Sequence, residues 1–194
     1  MKLFAIGAVA LASLVATAAS AQNPGPTNPG PVIPGVCVYF NQQLMAQSTA
    51  GQAVQARMQQ LATEVQGEIT PYATAIQTEA QALQAGASTI PAADQQTRRQ
   101  ALQQRVSEAQ QLEQTRSDEL RYTLQEQRRL ISAAVEPILV AVYQEKGCGI
   151  MLDRESVFIM NPAMDVTADV ITRLNTALPT LSFNRLPVPA QQAQ

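Results

Sequence analysis

Between Gly51 and Gly86 the apolar residues recur with helical regularity. They fall at Val54, Met58, Leu61, Val65, Ile69, Tyr72, Ile76, Ala80 and Leu83, three or four positions apart, with mostly Gln, Thr, Glu and Ala between them. Such steps place side chains on one stripe of a helix. The stripe repeats every eleven residues: Met58, Ile69 and Ala80 share one position, Leu61, Tyr72 and Leu83 a second, and Val54, Val65 and Ile76 a third. Eleven residues in three turns is about 3.67 per turn, the winding of a nearly straight or slightly right-handed coiled coil. At about 1.5 Å per residue the helix reaches on the order of 50 Å.

The pattern breaks at "AGASTIP", where Gly86, Ser88, Thr89 and Pro91 supply loop chemistry, and helix resumes near Ala92 to Asp94. The returning helix keeps an eleven-residue register through Ala109, Leu120, Ile131 and Val142. Between Glu113 and Glu119 it has no large apolar residue, which predicts loose pairing there. Two antiparallel helices joined by a short loop make an arm over 51–136. Pro71 and Pro137 each remove the hydrogen bond to the carbonyl four residues earlier, at Gly67 and Ala133, and predict a kink or a helix boundary. The simpler reading is a boundary; the alternative is that Gly67 and Pro71 form a hinge through which the arm opens and closes.

The flanks change character. "GVCVYFN" reads as a strand handing over to a helix capped by Asn41, and Asn41 to Gln47 as a short helix broken at "STAG". After the helix stop at Gly147, "CGIMLDRE" and "SVFIM" read as two strands joined at Arg154 to Ser156. Asn161-Pro162 then turns the chain into a final helix, "DVTADVITRLN", with Val170 and Leu174 on one face. The class is α+β: segments 36–50 and 137–175 form a β-containing body that carries the arm. The five prolines of 22–35 predict an extended leader, and Pro179, Pro187 and Pro189 predict a disordered tail over 176–194.

Residues 1–21 have the form of a signal peptide: Lys2, an apolar run from Leu3 to Ala18, and Ala19-Ser20-Ala21 at the cleavage site. Export across the inner membrane follows as the expectation. The run is shorter than the roughly 20 residues that span a bilayer, and no later stretch approaches that length. Cleavage removes Lys2 alone, which leaves 12 basic against 15 acidic side chains and a formal charge of −3. Nucleic-acid binding leans on clustered Lys and Arg, so no nucleic-acid partner is expected.

There is no His in the chain and there are only two cysteines, Cys37 and Cys148. The commonest acid–base side chain is missing, and two distant cysteines make neither a redox pair motif nor a zinc site. Asp153 and Asp165 could be offered as a carboxylate pair, but nothing nucleophilic accompanies them, and turn and helix-cap roles fit their positions better. The expectation is a protein that is no enzyme and needs no metal or cofactor.

The order of elements, and above all the closing segment "GIMLDRESVFIMNPAMDVTADVITRLN", resembles the OmpH/Skp family of periplasmic chaperones. Gly147, Leu152, Asp153, Val157, Asp165, Thr167, Val170, Leu174 and Asn175 fill the positions of that family's closing motif. The resemblance implies a periplasmic homotrimer in which short strands from three chains build a body and three helical hairpins surround a cavity. It also implies an ATP-independent holdase whose partners are unfolded outer-membrane proteins. A structural adaptor of the cell envelope, bridging a fixed partner through the arm, is the alternative. Within the family body the strands of Cys37 and Cys148 come together, so the resemblance favours a disulfide over two buried thiols in an oxidising periplasm. The Met58 to Leu83 stripe reads as hairpin packing in preference to client surface. Arg98 and Arg99, near the arm tip, either touch a lipid surface or client or lie on a solvated helix face, and the pattern favours the second.

Overall fold

A computed structural model describes residues 30–190. Residues 1–21, read above as a signal peptide, most of the Pro-rich segment 22–35 and residues 191–194 lie outside them. In chain order the elements are β1 (Val36–Tyr39), α1 (Asn41–Gln47), α2 (Thr49–Ala85), α3 (Ala92–Glu145), β2 (Ile150–Asp153), 3-10 turns at Arg154–Ser156 and Pro162–Met164, and α4 (Thr167–Ala177). Helices α2 and α3 are the two limbs of the hairpin, and everything else gathers at its base.

The body is a small parallel sheet packed on helices. β1 pairs with β2 in register Val36 to Ile150 and Tyr39 to Asp153, and Val38 forms a further parallel bridge to Asp165 on the other side. The core lies where this sheet, α1, α4 and the base of the arm meet: Cys37, Leu44, Ala50, Val54, Ile131, Val135, Val142, Val170 and Leu174 are buried together. Side chains as well enclosed as Leu44, Val142, Val170 and Leu174, each 0 % exposed, contribute about 2 kcal/mol apiece. Moving outward along the arm the stripe thins. Leu61 and Val65 are buried, Ile69 and Ile76 are half-buried, Tyr72 is 47 % exposed, and Leu83 is buried again near the tip.

Gly51 explains how closely α1 and α2 approach. A Cβ there would lie 2.0 Å from the carbonyl oxygen of Met45, so only glycine permits the tight turn from one helix into the next. Ser48 caps α2, its Oγ accepting the Gly51 N–H at 3.1 Å. At the far end of the hairpin's return limb, Gly147 sits at φ +64°. The Cys148 N–H bonds the Tyr143 carbonyl and the Gly147 N–H that of Gln144, the paired bonds of a Schellman stop.

Several expectations are corrected. Pro71 and Pro137 are not boundaries: α2 and α3 run through them, so arm and body share one continuous α3. "SVFIM" forms no strand; the chain passes from one 3-10 turn through bends to the next and leaves Phe158 94 % exposed. Asn41 is the first residue of α1 and not its cap, since Phe40 occupies the cap position without a side-chain bond. The Phe40 N–H goes instead to Thr167 Oγ1 at 2.9 Å. The described part of the tail is not disordered. Residues 178–190 lie against the arm, with Leu178, Leu181 and Phe183 packed on the core.

Candidate functional site

The closing motif is a set of latches for the body. Asp153 caps the first 3-10 turn, accepting the Glu155 N–H at 2.8 Å, whereas Asp165 accepts the Thr167 N–H at 2.8 Å in a local turn ahead of α4, whose cap position is held by Val166 without a side-chain bond. Thr167 ties α4 to β1 through Phe40, and Val170 and Leu174 fill the core. Leu152 and Val157 are half-buried on and just after β2, and Gly147 supplies the left-handed stop. Asn175 reaches across to the start of α2, where its Oδ1 accepts the Thr49 N–H at 2.9 Å and the Thr49 hydroxyl at 3.1 Å. Two ion pairs, Lys146 to Asp169 and Arg173 to Glu145, hold α4 on the end of α3. Arg173's hydrogen bond keeps the Glu145 carboxyl below the usual carboxylate range.

Cys37 and Cys148 form a disulfide with a Cα separation of 5.7 Å across 111 positions. It closes the arm into a covalent loop at its base. β1 and β2 are thereby joined twice, by the ladder and by the bridge.

One edge of this sheet is open. β1 lies between β2 and the Asp165 segment, whereas among the described residues nothing pairs with the outer edge of β2. Exposed apolar side chains occur on β2, at Ile150, and in the segments flanking the sheet: Val32 and Ile33 leading into β1, and Phe158 and Ile159 after the 3-10 turn. Asn161 Nδ2 donates to the Gly30 carbonyl at 2.9 Å, which brings these two flanking segments together.

Along the arm, the apolar gap between Glu113 and Glu119 is not loose. Arg116 of α3 bonds Glu68 of α2 at 2.6 Å and Glu119 of its own helix at 2.9 Å. Arg185 of the tail joins the same pair, with Nη2 2.8 Å from Glu68 and Nε 3.0 Å from Glu119. The Arg185 hydrogen bond, reinforced by Arg116 against partial burial, lowers the pKa of Glu68. A gap in the stripe that holds Arg116 and Glu119 was the available signal for an ionic cluster; nothing in the sequence pointed to Arg185 as its fourth member.

Above this cluster the hairpin opens. Pro71, Tyr72, Ala75, Ile76, Arg105 and Glu108 line a cavity of about 320 Å³. Gly67 is exposed, with nothing near the position of a Cβ. Thr70, Thr74 and Thr78 return their hydroxyls to carbonyls four residues earlier, the Thr70 bond to Gln66 being 2.7 Å. Nearer the tip, Arg98 faces across the hairpin and grips Glu79 at 2.8 and 3.1 Å, while Arg99 is exposed. In the body, burial and then the charge of Asp153 push Tyr39 up to about 12, so its hydroxyl stays protonated and donates to Asn41. Among the described residues no group of three or more His, Cys, Asp or Glu could hold a metal ion, and no helix is long and apolar enough to cross a membrane.

A disulfide-tied α+β body with an open strand edge, carrying one long helical hairpin, defines the fold class as a single-arm α+β protein. Residues 35–174 match the family of OmpH-like outer membrane proteins, and the chain belongs to that family. It is similar in structure to a protein from Caulobacter crescentus CB15 described as an outer membrane chaperone (OmpH-like), with a TM-score of 0.75 and 34% sequence identity over 84% of this chain and 96% of that one. No curated protein sequence matches the chain at a significant level.

Proposed function

We propose that the protein is an ATP-independent holdase of the periplasm, which binds unfolded outer-membrane protein precursors between helical arms and prevents their aggregation. The observation that carries this reading is the graded arm: its stripe is buried at the base and half-open from Ile69 to Ile76, with Tyr72 47 % exposed beside a cavity. A limb anchored only at one end, with few buried contacts beyond it, opens at low cost. Weak contacts repeated over several such arms hold a client by multiplicity instead of by one deep pocket. Membership of the OmpH-like family and likeness to a protein described as an outer membrane chaperone support it. A disulfide accords with an oxidising compartment.

The arms act together in a homotrimer. An isolated two-stranded sheet is marginal in water, and an unpaired strand edge is a template for another chain. Ile150 on β2 and Phe158 and Ile159 after the 3-10 turn form the apolar surface that assembly would cover. Gly67 and Pro71 serve as the bend of each arm, and Arg99 is the cation left at the tip for a lipid surface or client.

The test is suppression of aggregation. Several unrelated urea-unfolded outer-membrane proteins, diluted into buffer without nucleotide, should remain soluble at stoichiometric trimer. If the protein ignores them all and captures a single folded envelope partner, the holdase reading fails and the adaptor reading replaces it.

A further inference from the structure

Beyond α4 the chain turns back along the arm. From Leu178 to Pro189 it forms no helix or strand, and its side chains alternate: Leu181, Phe183 and Arg185 are half-buried, whereas Ser182 and Asn184 are exposed. After Leu186 the alternation resumes with Val188 half-buried between exposed Pro187 and Pro189. A period of two belongs to an extended chain lying on a surface.

The arm holds this chain by its backbone as well as by its side chains. Arg57 Nε donates to the Phe183 carbonyl at 3.0 Å, and the Leu186 N–H donates to Thr123 Oγ1 at 2.8 Å. The carbonyl is carried by every residue and the N–H by every residue but proline, so the two contacts select an extended backbone with little regard to sequence. Arg57 Nη2 adds a longer bond to the Asn184 side chain at 3.3 Å. The strongest side-chain contact is Arg185, 19 % exposed and shared between Glu68 and Glu119. Its Nη1 is buried without a hydrogen-bond partner, so the cluster grips the guanidinium without matching all of it.

We propose that this face of the arm is a groove for extended polypeptide, and that residues 178–190 are an internal occupant which an unfolded client segment displaces. The inference rests on the holdase reading and names the segment that reading requires: an extended stretch with apolar side chains at alternate positions and one Arg or Lys. Alternation matches the half-buried positions, and a cation replaces Arg185 between Glu68 and Glu119. The groove survives departure of the strap because Arg116 still bridges the two carboxylates. A tethered occupant acts at high effective concentration, on the order of millimolar for a short linker. Single short peptides therefore compete poorly with it, and long clients that engage several arms compete well.

The experiment compares the mature chain, the full-length double variant Phe183→Ser, Arg185→Glu, and a chain ending at Leu178. Each is titrated against three fluorescein-labelled probes: a peptide of residues 178–190, an unrelated peptide with alternating Leu and Ser and one Arg, and its non-alternating permutation. Anisotropy should show both alternating probes binding the two variants at least tenfold more tightly than the mature chain, with the permutation weak throughout. Should the shortened chain fail to fold by circular dichroism, the full-length double variant decides alone. Equal affinity across the proteins, or no preference for alternation, overturns the proposal and leaves the strap a structural brace. Aggregation assays on the same proteins separate the two readings. Suppression that is equal in all of them, with flat peptide binding, removes the groove and keeps the holdase; strap-dependent peptide binding without any suppression removes the holdase and keeps the groove.

Discussion

The Oδ1 of Asn175, in the last full turn of the closing helix, accepts the backbone N–H of Thr49 at 2.9 Å, 126 positions earlier in the chain. The first N–H groups of a helix have no partner within it, and here one of them is satisfied by another helix. This makes Asn175 a cap supplied across the fold, working beside Ser48. Replacing Asn175→Ala should cost about 1 kcal/mol in urea unfolding at fixed protomer concentration, and Asn175→Asp should retain most of the stability because the acceptor remains. Equal losses in both would deny the cap.

Two glycines of α2 should respond in opposite directions. Gly51→Ala drives a methyl into the Met45 carbonyl and should destabilise the protein by about 1–3 kcal/mol. Gly67→Ala meets open space and removes a flexible helix position, so it should stabilise by about 1 kcal/mol. The second change also tests the hinge: the spread of arm-tip distances by spin-label measurements should narrow. An unchanged spread would assign the bend no motion.

Reduction of the Cys37–Cys148 bridge releases a covalent loop of 111 positions. In the chain-entropy account a loop of that size contributes about 5 kcal/mol. The double Cys37→Ser, Cys148→Ser variant should melt well below the parent, and non-reducing peptide mapping of protein exported under oxidising conditions should find the two half-cystines together.

Acid should loosen the strap before it unfolds the body. Glu68 has a pKa lowered first by the hydrogen bond from Arg185 and next by that from Arg116, with Glu119 alongside. A carboxyl lowered in the folded state contributes stability that is present above its unfolded value, about 4.3, and lost as pH falls through the folded value. A Phe183→Trp reporter should therefore keep its fluorescence from neutrality to about pH 5 and change at more acid values while helical circular dichroism persists. Raised salt, which screens such partly exposed pairs, should move the change upward in pH.

Phe158 should matter for assembly and little for the subunit. It is 94 % exposed, so Phe158→Asp removes no packing within one chain. Light scattering should report a mass near three chains for the parent and a lower mass for the variant at the same concentration, with similar helix content. A parent that is a folded monomer would remove the trimer.

The hairpin was legible because its signal is local. An apolar residue every third or fourth position specifies a helix wherever it lies, and the loop chemistry from Gly86 to Pro91 specifies the reversal. Val170 and Leu174 were legible as a buried face for the same reason. Elsewhere local signs misled. Pro71 and Pro137 read as boundaries, yet the neighbouring turns and packing carry both helices through them. "SVFIM" has strand composition but finds no partner strand among the described residues.

By itself, then, the sequence determined the long helices, the cap at Asp153, the local turn at Asp165, and the motif that marks the family, all of which depend on neighbours a few residues apart. Tertiary structure alone decided that Asn175 caps a helix begun at Thr49, that Arg116 and Arg185 fill the gap in the stripe, and that a proline-bearing tail lies along the arm. Those contacts join residues 48 to 126 positions apart. Their energies come from burial and charge pairing that no short stretch of chain displays.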